Sequence, residues 1–460
     1  MLFNSFEFIF LFFPVVAVCA IFVCRGNTRY WVLIFASLLF YAQSGREHAY
    51  VLIISVIWIY AFIDRKFLSL TPNLNLFAAT IGPVSALIYY KYSKFIFYDV
   101  LRLGKAAEST AFSLFDDIIL PAGISFFTFQ LLAYAFDRHT KKIAEPIGFR
   151  NLILYISFFP QLIAGPIVRY EQVATAIIGL RTFVLTEGYL VNAILYFTFG
   201  LAYKVLLADT IGIFIEPLIA APKDLGLSGL LVVIFSYTFQ IYFDFYGYSL
   251  CAIGLASLFG FRLPDNFKRP YSTLNPRTFW QCWHVTLSYW IRDYLYIPLG
   301  GNTAYTRNII IVFLVCGLWH GAGFSFIIWG LYHALLVAGY SSISESWNRL
   351  PLIFQWALNF TAVSVGWLFF VFTLDDLWIA MMSVTVTPWL DHQFDLNVAL
   401  IVFIAAIVCF FMRIEKVADY LSKQNSHWAV ALLSGVLSAV VLIISIVYLD
   451  RSASFIYFRF

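Results

Sequence analysis

Residues Leu314–Ala334 read "LVCGLWHGAGFSFIIWGLYHA", and this stretch decides what kind of protein the chain is. The stretch is largely apolar and holds no Asp, Glu, Lys or Arg. It does hold two histidines, His320 and His333. Ionisable groups in a membrane span are costly and usually line a cavity, pair with another group or carry function.

The whole chain has the same character. Of its 460 residues 62% are hydrophobic and 12% are charged, which is too little polar surface for a soluble globule. We therefore predict an all-α polytopic membrane protein with about ten to twelve spans, some short or re-entrant, at roughly 20 residues each. Since neither a repeat nor a linker interrupts the sequence, residues 1–460 are predicted to form a single membrane domain.

Basic residues predict how the chain is oriented in the membrane. Arg25 and Arg29 follow the first apolar segment, which by the positive-inside rule places that loop in the cytoplasm and the N-terminus outside. Residues 262–307 form the densest basic stretch and are predicted to be an interfacial segment on the cytoplasmic face. Residues 450–460 then form an extracytoplasmic tail, so both termini lie outside the cell inner membrane. Because these charges record orientation, they do not predict nucleic-acid binding.

The leader "MLFNSFE" lacks the positive charge of a secretory signal and carries Glu7. The first segment is therefore expected to remain as a helix.

Three polar residues share one face of a predicted helix in "FQIYFDFYGYSLCAIG". Gln240, Asp244 and Tyr248 follow one another at four-residue steps. Such a face either lines a cavity or forms a hydrogen-bonded clasp between helices. Both interpretations stay open at this point.

Two histidines are the main candidates for catalysis. His284 lies in the aromatic, basic stretch "FWQCWHVTLSYWIRDYLYIPLGGN" (Phe279–Asn302), which suits an interfacial helix broken after Pro298. His320 is surrounded by glycines, which allow a ligand or another backbone to approach. A neutral imidazole can accept a proton from a hydroxyl, as a general base does in acyl transfer. His333 is thirteen residues beyond His320, on another helix face, and is expected to be structural.

Metal binding is the rival interpretation of these histidines. Cys282, His284, Cys316 and His320 could supply four ligands. Their spacing matches no metal motif, so no metal site is predicted.

At these residues the sequence resembles the membrane-bound O-acyltransferases, in particular the bacterial branch of alginate and peptidoglycan O-acetyltransferases. The resemblance covers nearly the whole chain. Its motifs, in order, are "MLFNSFEFIFLFFP", "PAGISFFTFQ", "SFFPQLIAGPIVRY", "FQIYFDFYGYS", "LPDNFKRPY", "RDYLYIPLGGN", "GLWHGAGFSFIIWGLYH" and the final "FIYFRF".

The resemblance implies a ring of tilted helices around a central tunnel, with interfacial and re-entrant helices. His320 matches the invariant, catalytic histidine of the family and His284 its second recurrent one. Gln240, Asp244, Tyr248 and Trp319 are then candidates to line the tunnel. Tyr457 matches a tyrosine thought to carry the acyl group as a relay, although an interfacial aromatic belt would also explain this tail.

The donor implied by the family is a cytoplasmic thioester, either acetyl-CoA or an acyl carrier protein, with no bound cofactor. Lys268, Arg269 and Arg277 are the candidates to bind its phosphates or an acidic carrier. The acceptor would be an extracytoplasmic polysaccharide such as alginate or peptidoglycan, reached with an extracytoplasmic acyltransferase or esterase-like partner.

Departures from the acetylating branch leave a second transfer open. The chain has "FDFYGYSLCA", with Leu250 where an aspartate is common, and Gln281 and Cys282 replace two arginines before His284. Leu250 and Thr286 favour the branch that transfers D-alanine to teichoic acids. A polysaccharide or lipid transporter is the alternative of another class, but matching halves with broken helices are not seen.

Overall fold

The computed structural model describes residues 1–68, 70–102, 115, 118–386, 396–421, 428–451, 453 and 455–456. These residues form helices and turns and contain no β-strand. The prediction of an all-α protein is therefore confirmed.

The first eleven α-helices are α1 (Phe13–Val18), α2 (Thr28–Ala42), α3 (Arg46–Ile59), α4 (Pro72–Leu87), α5 (Ile124–His139), α6 (Phe149–Ser157), α7 (Phe159–Leu162), α8 (Tyr170–Gly179), α9 (Glu187–Ala202), α10 (Thr210–Ala220) and α11 (Gly226–Ser257). The remaining ten are α12 (Pro276–Cys282), α13 (Val285–Ile291), α14 (Tyr305–His320), α15 (Phe324–Asn348), α16 (Leu352–Gly366), α17 (Leu368–Val371), α18 (Leu374–Val386), α19 (Leu396–Phe411), α20 (Ile414–Leu421) and α21 (Trp428–Val447). Wider π-helical turns occur at Glu7–Phe12, Cys19–Val23, Tyr60–Asp64, Ile88–Tyr92, Phe95–Val100, Tyr203–Asp209 and Arg292–Tyr296.

Among the described residues, 7 helices are long and apolar enough to cross a membrane, or up to 8 if one bent pair counts as a single span. They confirm a multi-pass membrane protein. The predicted ten to twelve spans included short or re-entrant ones, and the described residues also contain shorter apolar helices. Glu7–Val23 and Thr28–Ala42 are two of these.

By their internal contacts the residues form two compact units. The first comprises Met1–Phe197, Ser249–Pro264 and Ala418–Ala431. The second comprises Thr198–Tyr248, Asp265–Val417 and Leu432–Phe460. The single membrane domain predicted for residues 1–460 stays a prediction.

The first unit has an aromatic core near its N-terminus. Phe8 is fully buried, with its ring centroid 5.7 Å from that of Phe40 and 6.2 Å from that of Phe159. The same unit holds an ion pair between Arg138 and Asp64 at 3.2 Å. The first apolar segment is thus an integral part of this unit.

The second unit contains all the candidate site residues that the structure describes. In this unit α14 and α15 pack together as a hairpin, and glycines let the two helices approach closely. A Cβ atom on Gly317 would collide with the carbonyl oxygen of Phe326, and one on Gly330 with that of Phe313. The small residues near His320 therefore admit another backbone.

Candidate functional site

His284 lies at the junction between α12 and α13. Its backbone is left-handed, with φ 41° and ψ 55°, a conformation that costs free energy in a non-glycine residue. The ring offsets part of this cost by capping α13, because Nδ1 accepts a hydrogen bond from the Leu287 backbone N–H at 3.4 Å. The side chain is therefore fixed by the local fold.

Burial determines the protonation state of His284. The residue is 1% exposed, and burial lowers the pKa of the imidazole from 6.5 to about 3 because its charged form would be poorly solvated. The ring is therefore neutral at physiological pH. Since Nδ1 accepts a hydrogen bond, the single proton is carried by Nε2.

One indole contacts both candidate histidines. The ring centroid of Trp319 lies 5.7 Å from that of His284 and 4.9 Å from that of His320, both in edge-to-face geometry. We call His284 and His320 the histidine pair. Both predicted catalytic residues therefore contact the same side chain.

His320 is the last residue of α14 and is buried. Its ring centroid lies 5.1 Å from that of Trp329 and 5.2 Å from that of Phe370. His333 lies beyond Trp329, with 5.0 Å between ring centroids. His333 lies on α15, so the prediction that it is on another face of the helix that carries His320 is wrong. Neither nitrogen of His333 has a hydrogen-bond partner in the described part of the chain, and its structural role stays a prediction.

Asp244 belongs to a buried ionic cluster. Lys204 Nζ lies 2.6 Å from Asp244 Oδ1 and 2.6 Å from Asp209 Oδ1. Asp244 Oδ2 also accepts a hydrogen bond from the Ile456 backbone N–H at 2.9 Å. These contacts match the clasp interpretation of Asp244, and its prediction as a tunnel-lining residue stays untested.

The other two residues of the predicted polar face have different neighbours. Gln240 lies against α10, where its Nε2 atom occupies the space that a Cβ on Gly212 would need. The ring centroid of Tyr248 lies 5.0 Å from that of Phe455. Tunnel lining by Gln240, Tyr248 or Trp319 therefore remains a prediction.

Phe455 and Ile456 of the C-terminal tail are buried in this unit, whereas Asp450, Arg451 and Ala453 are exposed. Phe455 is 1% exposed, and its ring centroid lies 5.8 Å from that of Phe245. Phe245 in turn lies 4.7 Å from His284. Tyr457, the predicted relay, lies outside the described residues.

A cavity of about 720 Å³ opens among the short helices of the basic segment. Arg277, Arg292 and Tyr289 line it, and it extends along α14 to Cys316. Arg277 donates hydrogen bonds to the hydroxyls of Tyr305, at 3.2 Å, and Ser341, at 3.0 Å. These two partners are neutral and do not compensate the positive charge of Arg277, and donor binding by this residue stays a prediction.

The other two candidate donor-binding residues differ from Arg277. Arg269 donates to the Phe410 backbone carbonyl at 2.6 Å and so ties a loop to the end of α19. Lys268 is exposed, with its Nζ atom 6.0 Å from the Tyr289 ring centroid. Lys268 can therefore meet a ligand near the cavity, whereas Arg269 already serves a packing role.

The described residues offer no group of three or more His, Cys, Asp or Glu side chains that could hold a metal ion. The four-ligand alternative with Cys282, His284, Cys316 and His320 thus gains no geometric support there.

Sequence reasoning missed Lys204 and Asp209. Both lie in the candidate span Glu187–Ala220, where a charge is as informative as the charge of Asp244. It also missed Phe245, because a phenylalanine in an aromatic-rich helix carries no distinguishing signal.

Comparison with known proteins supports a single family. The model of the MBOAT, membrane-bound O-acyltransferase family, matches residues 83–375. A peptidoglycan O-acetyltransferase of Helicobacter pylori is 34% identical over 412 residues, which cover 80% of this chain and 77% of that protein.

Two further relatives represent the alginate and teichoic acid branches. A probable alginate O-acetylase AlgI of Pseudomonas aeruginosa is 33% identical over 399 residues, which cover 83% of this chain and 73% of that protein. A teichoic acid D-alanyltransferase of Bacillus subtilis is 29% identical over 238 residues, which cover 49% of this chain and 60% of that protein.

The geometry of His284 predicts that its cap and its chemistry can be separated. His284→Asn should keep the thermal midpoint of the purified protein, because Asn tolerates the left-handed backbone and its side-chain oxygen can cap α13. His284→Ala should lose about 1 kcal/mol, the cost of a missing cap. Both should lose acyl transfer. If the His284→Asn variant retained acyl transfer, His284 would serve only to cap α13.

Proposed function

This chain belongs to the membrane-bound O-acyltransferase family, and on that premise we propose that it passes an acetyl group from a cytoplasmic thioester to an extracytoplasmic polysaccharide. It is an O-acyltransferase of the membrane. The observation that carries the proposal is the histidine pair around Trp319. Two imidazoles at one buried site provide both a proton acceptor and a proton donor.

Acetyl is favoured as the transferred group by the relatives that cover most of the chain. Those from Helicobacter pylori and Pseudomonas aeruginosa are named as an O-acetyltransferase and a probable O-acetylase, and each covers at least 80% of this chain. Peptidoglycan and an exopolysaccharide such as alginate are accordingly the proposed classes of acceptor.

The cavity beside Arg277 is the proposed entry for the donor. Arg277 suits the phosphates of coenzyme A or the acidic surface of a carrier protein. Arg292, which also lines the cavity, is already ion-paired with Asp293 at 2.6 Å. The inner wall of the cavity includes Cys316, and His320 follows one helical turn further along α14. A thioester bound with its phosphates at Arg277 would thus point its acyl end towards the histidine pair.

His320 is the proposed general base. It takes the proton of the attacking hydroxyl as the hydroxyl oxygen bonds to the thioester carbonyl carbon. The tetrahedral intermediate then collapses, the carbon–sulfur bond breaks, and the departing thiolate takes that proton from His320. The histidine ends in its starting state, and an ester and a free thiol are formed.

His284 is the proposed oxyanion donor. Because its Nδ1 caps α13, its proton is on Nε2, and a neutral N–H can stabilise the negative charge that develops on the carbonyl oxygen. A fixed donor in a dry site costs little reorganisation during the reaction.

Transfer across the inner membrane requires a carrier on the outer side. Tyr457 is the proposed acyl relay, because an aryl ester is more reactive than a sugar ester and can pass the acetyl group onward. With both termini extracytoplasmic and residues 262–307 facing the cytoplasm, donor and relay reach the site from opposite sides. An extracytoplasmic acyltransferase or esterase-like protein is the proposed recipient.

D-alanyl transfer is the second candidate, favoured by the Bacillus subtilis relative. One of the residues shared with that branch has a structural role here, since the Thr286 hydroxyl donates to Asn266 Oδ1 at 2.8 Å. Purified protein should hydrolyse acetyl-CoA under the first proposal and should engage a D-alanyl carrier protein under the second. Membership of an acyltransferase family sets the transporter alternative aside.

The role of His320 can be tested with a matched histidine. We expect His320→Phe to abolish glycan acetylation in cells, measured by mass spectrometry of released envelope glycans. His333→Phe should retain it, because that ring lies among aromatic side chains and its nitrogens make no hydrogen bond in the described structure. Full acetylation by inserted, folded His320→Phe protein would remove the base from this mechanism.

The donor cavity can be tested separately by kinetics. Arg277→Ala should raise the KM for acetyl-CoA about tenfold or more with little change in kcat, because a charge-assisted hydrogen bond is worth about 1.5–3 kcal/mol. Arg349→Ala is the control, since Arg349 is exposed and does not line the cavity. An unchanged KM would place the phosphates of the donor elsewhere.

A further inference from the structure

The buried cluster of Lys204, Asp209 and Asp244 holds two carboxyl groups but one ammonium group. Its three side chains are at most 4% exposed. One carboxylate would already neutralise Lys204, so a simple clasp between helices does not need the second. An additional buried carboxylate is stable only where further donors reach its oxygens.

The C-terminal tail supplies one such donor from its backbone. The Ile456 N–H donates to Asp244 Oδ2 at 2.9 Å. The backbone of Ala453 lies close to the Asp209 carboxyl group, whose Oδ2 atom accepts no hydrogen bond from the described residues. Just before these residues, the short turn Leu449–Arg451 packs against the π-helical turn Tyr203–Asp209. Each acidic member of the cluster thus meets one point of the tail.

The tail also makes an apolar contact through Phe455. The Phe455 ring packs against Tyr248 and Phe245, at 5.0 and 5.8 Å between centroids. Phe245 also contacts His284. Phe245 therefore contacts both the tail and His284, a proposed catalytic residue.

We propose that Lys204, Asp209 and Asp244 form a receptor for the C-terminal tail and act as positioning residues for Tyr457. Lys204 holds the two carboxyl groups, and Asp244 holds the backbone at Ile456. Ile456 directly precedes Tyr457 in the sequence. The docking stands on these contacts alone, whereas its purpose rests on the proposed relay function of Tyr457.

Hydrogen exchange of the full-length protein, followed by mass spectrometry, tests the docking directly. Asp244→Asn keeps the size of the side chain and removes its charge. The amides between Ala453 and Ile456 should then exchange at least tenfold faster, while those of α14 and α15 keep their wild-type rates. Wild-type exchange of the tail amides in this variant would overturn the proposal.

A matched control distinguishes docking from general destabilisation. Asp64→Asn removes another buried, ion-paired carboxylate, held by Arg138, in the first unit. It should leave exchange of the tail amides unchanged, and faster exchange there would contradict a specific receptor. Should Asp244→Asn fail to fold, Phe455→Ala tests the same docking by removing the ring contact, and it too should accelerate exchange at Ile456.

Acetylation by the same variants separates the receptor from the relay. Tyr457→Phe should lose glycan acetylation while its tail amides stay protected, and Asp244→Asn should lose both protection and at least nine tenths of the acetylation. Loss of protection with full acetylation would keep the docking and overturn its role in positioning. Full acetylation by Tyr457→Phe would overturn the relay and leave the receptor as a tail anchor.

Discussion

A charge placed in a membrane span must find its partner within the protein, and the second unit is organised around that constraint. Lys204, Asp209 and Asp244 lie in two candidate spans and satisfy each other over 2.6 Å contacts. The constraint extends to the tail, because the Ile456 backbone N–H donates a hydrogen bond to Asp244. A membrane chain with so few charges therefore joins its helices and its C-terminus through one ionic site.

Aromatic packing provides the second level of organisation. Trp319 lies between the members of the histidine pair, and Phe245 links His284 to Phe455. Such edge-to-face contacts hold rings in defined orientations without polar atoms. Glycines in the hairpin of α14 and α15 let the helices approach closely enough to hold His320 at the site. Reactive imidazoles can thus be fixed in an apolar interior.

Several features were predictable because they depend on local sequence. Hydropathy identified a multi-pass helical protein, and the break after Pro298 appears as glycines with positive φ at Gly300 and Gly301. The two histidines stood out as rare ionisable groups. Pairings between distant segments, such as Arg269 with the Phe410 carbonyl, left no periodic signal and were missed. Lys204 could have been noticed as a charged residue in a predicted membrane span, but its partners Asp209 and Asp244 can be identified only from the structure.

The central claim is that the acyl group is transferred to Tyr457 of the tail with His320 as general base and His284 as oxyanion donor. The most direct measurement is peptide mass spectrometry of the purified protein after incubation with isotopically labelled acetyl-CoA in the absence of an acceptor. The account predicts a labelled acetyl ester on Tyr457 in the wild-type protein and none when His320 is replaced. Turnover of acetyl-CoA with no label on the tail, or the same label without His320, would contradict it.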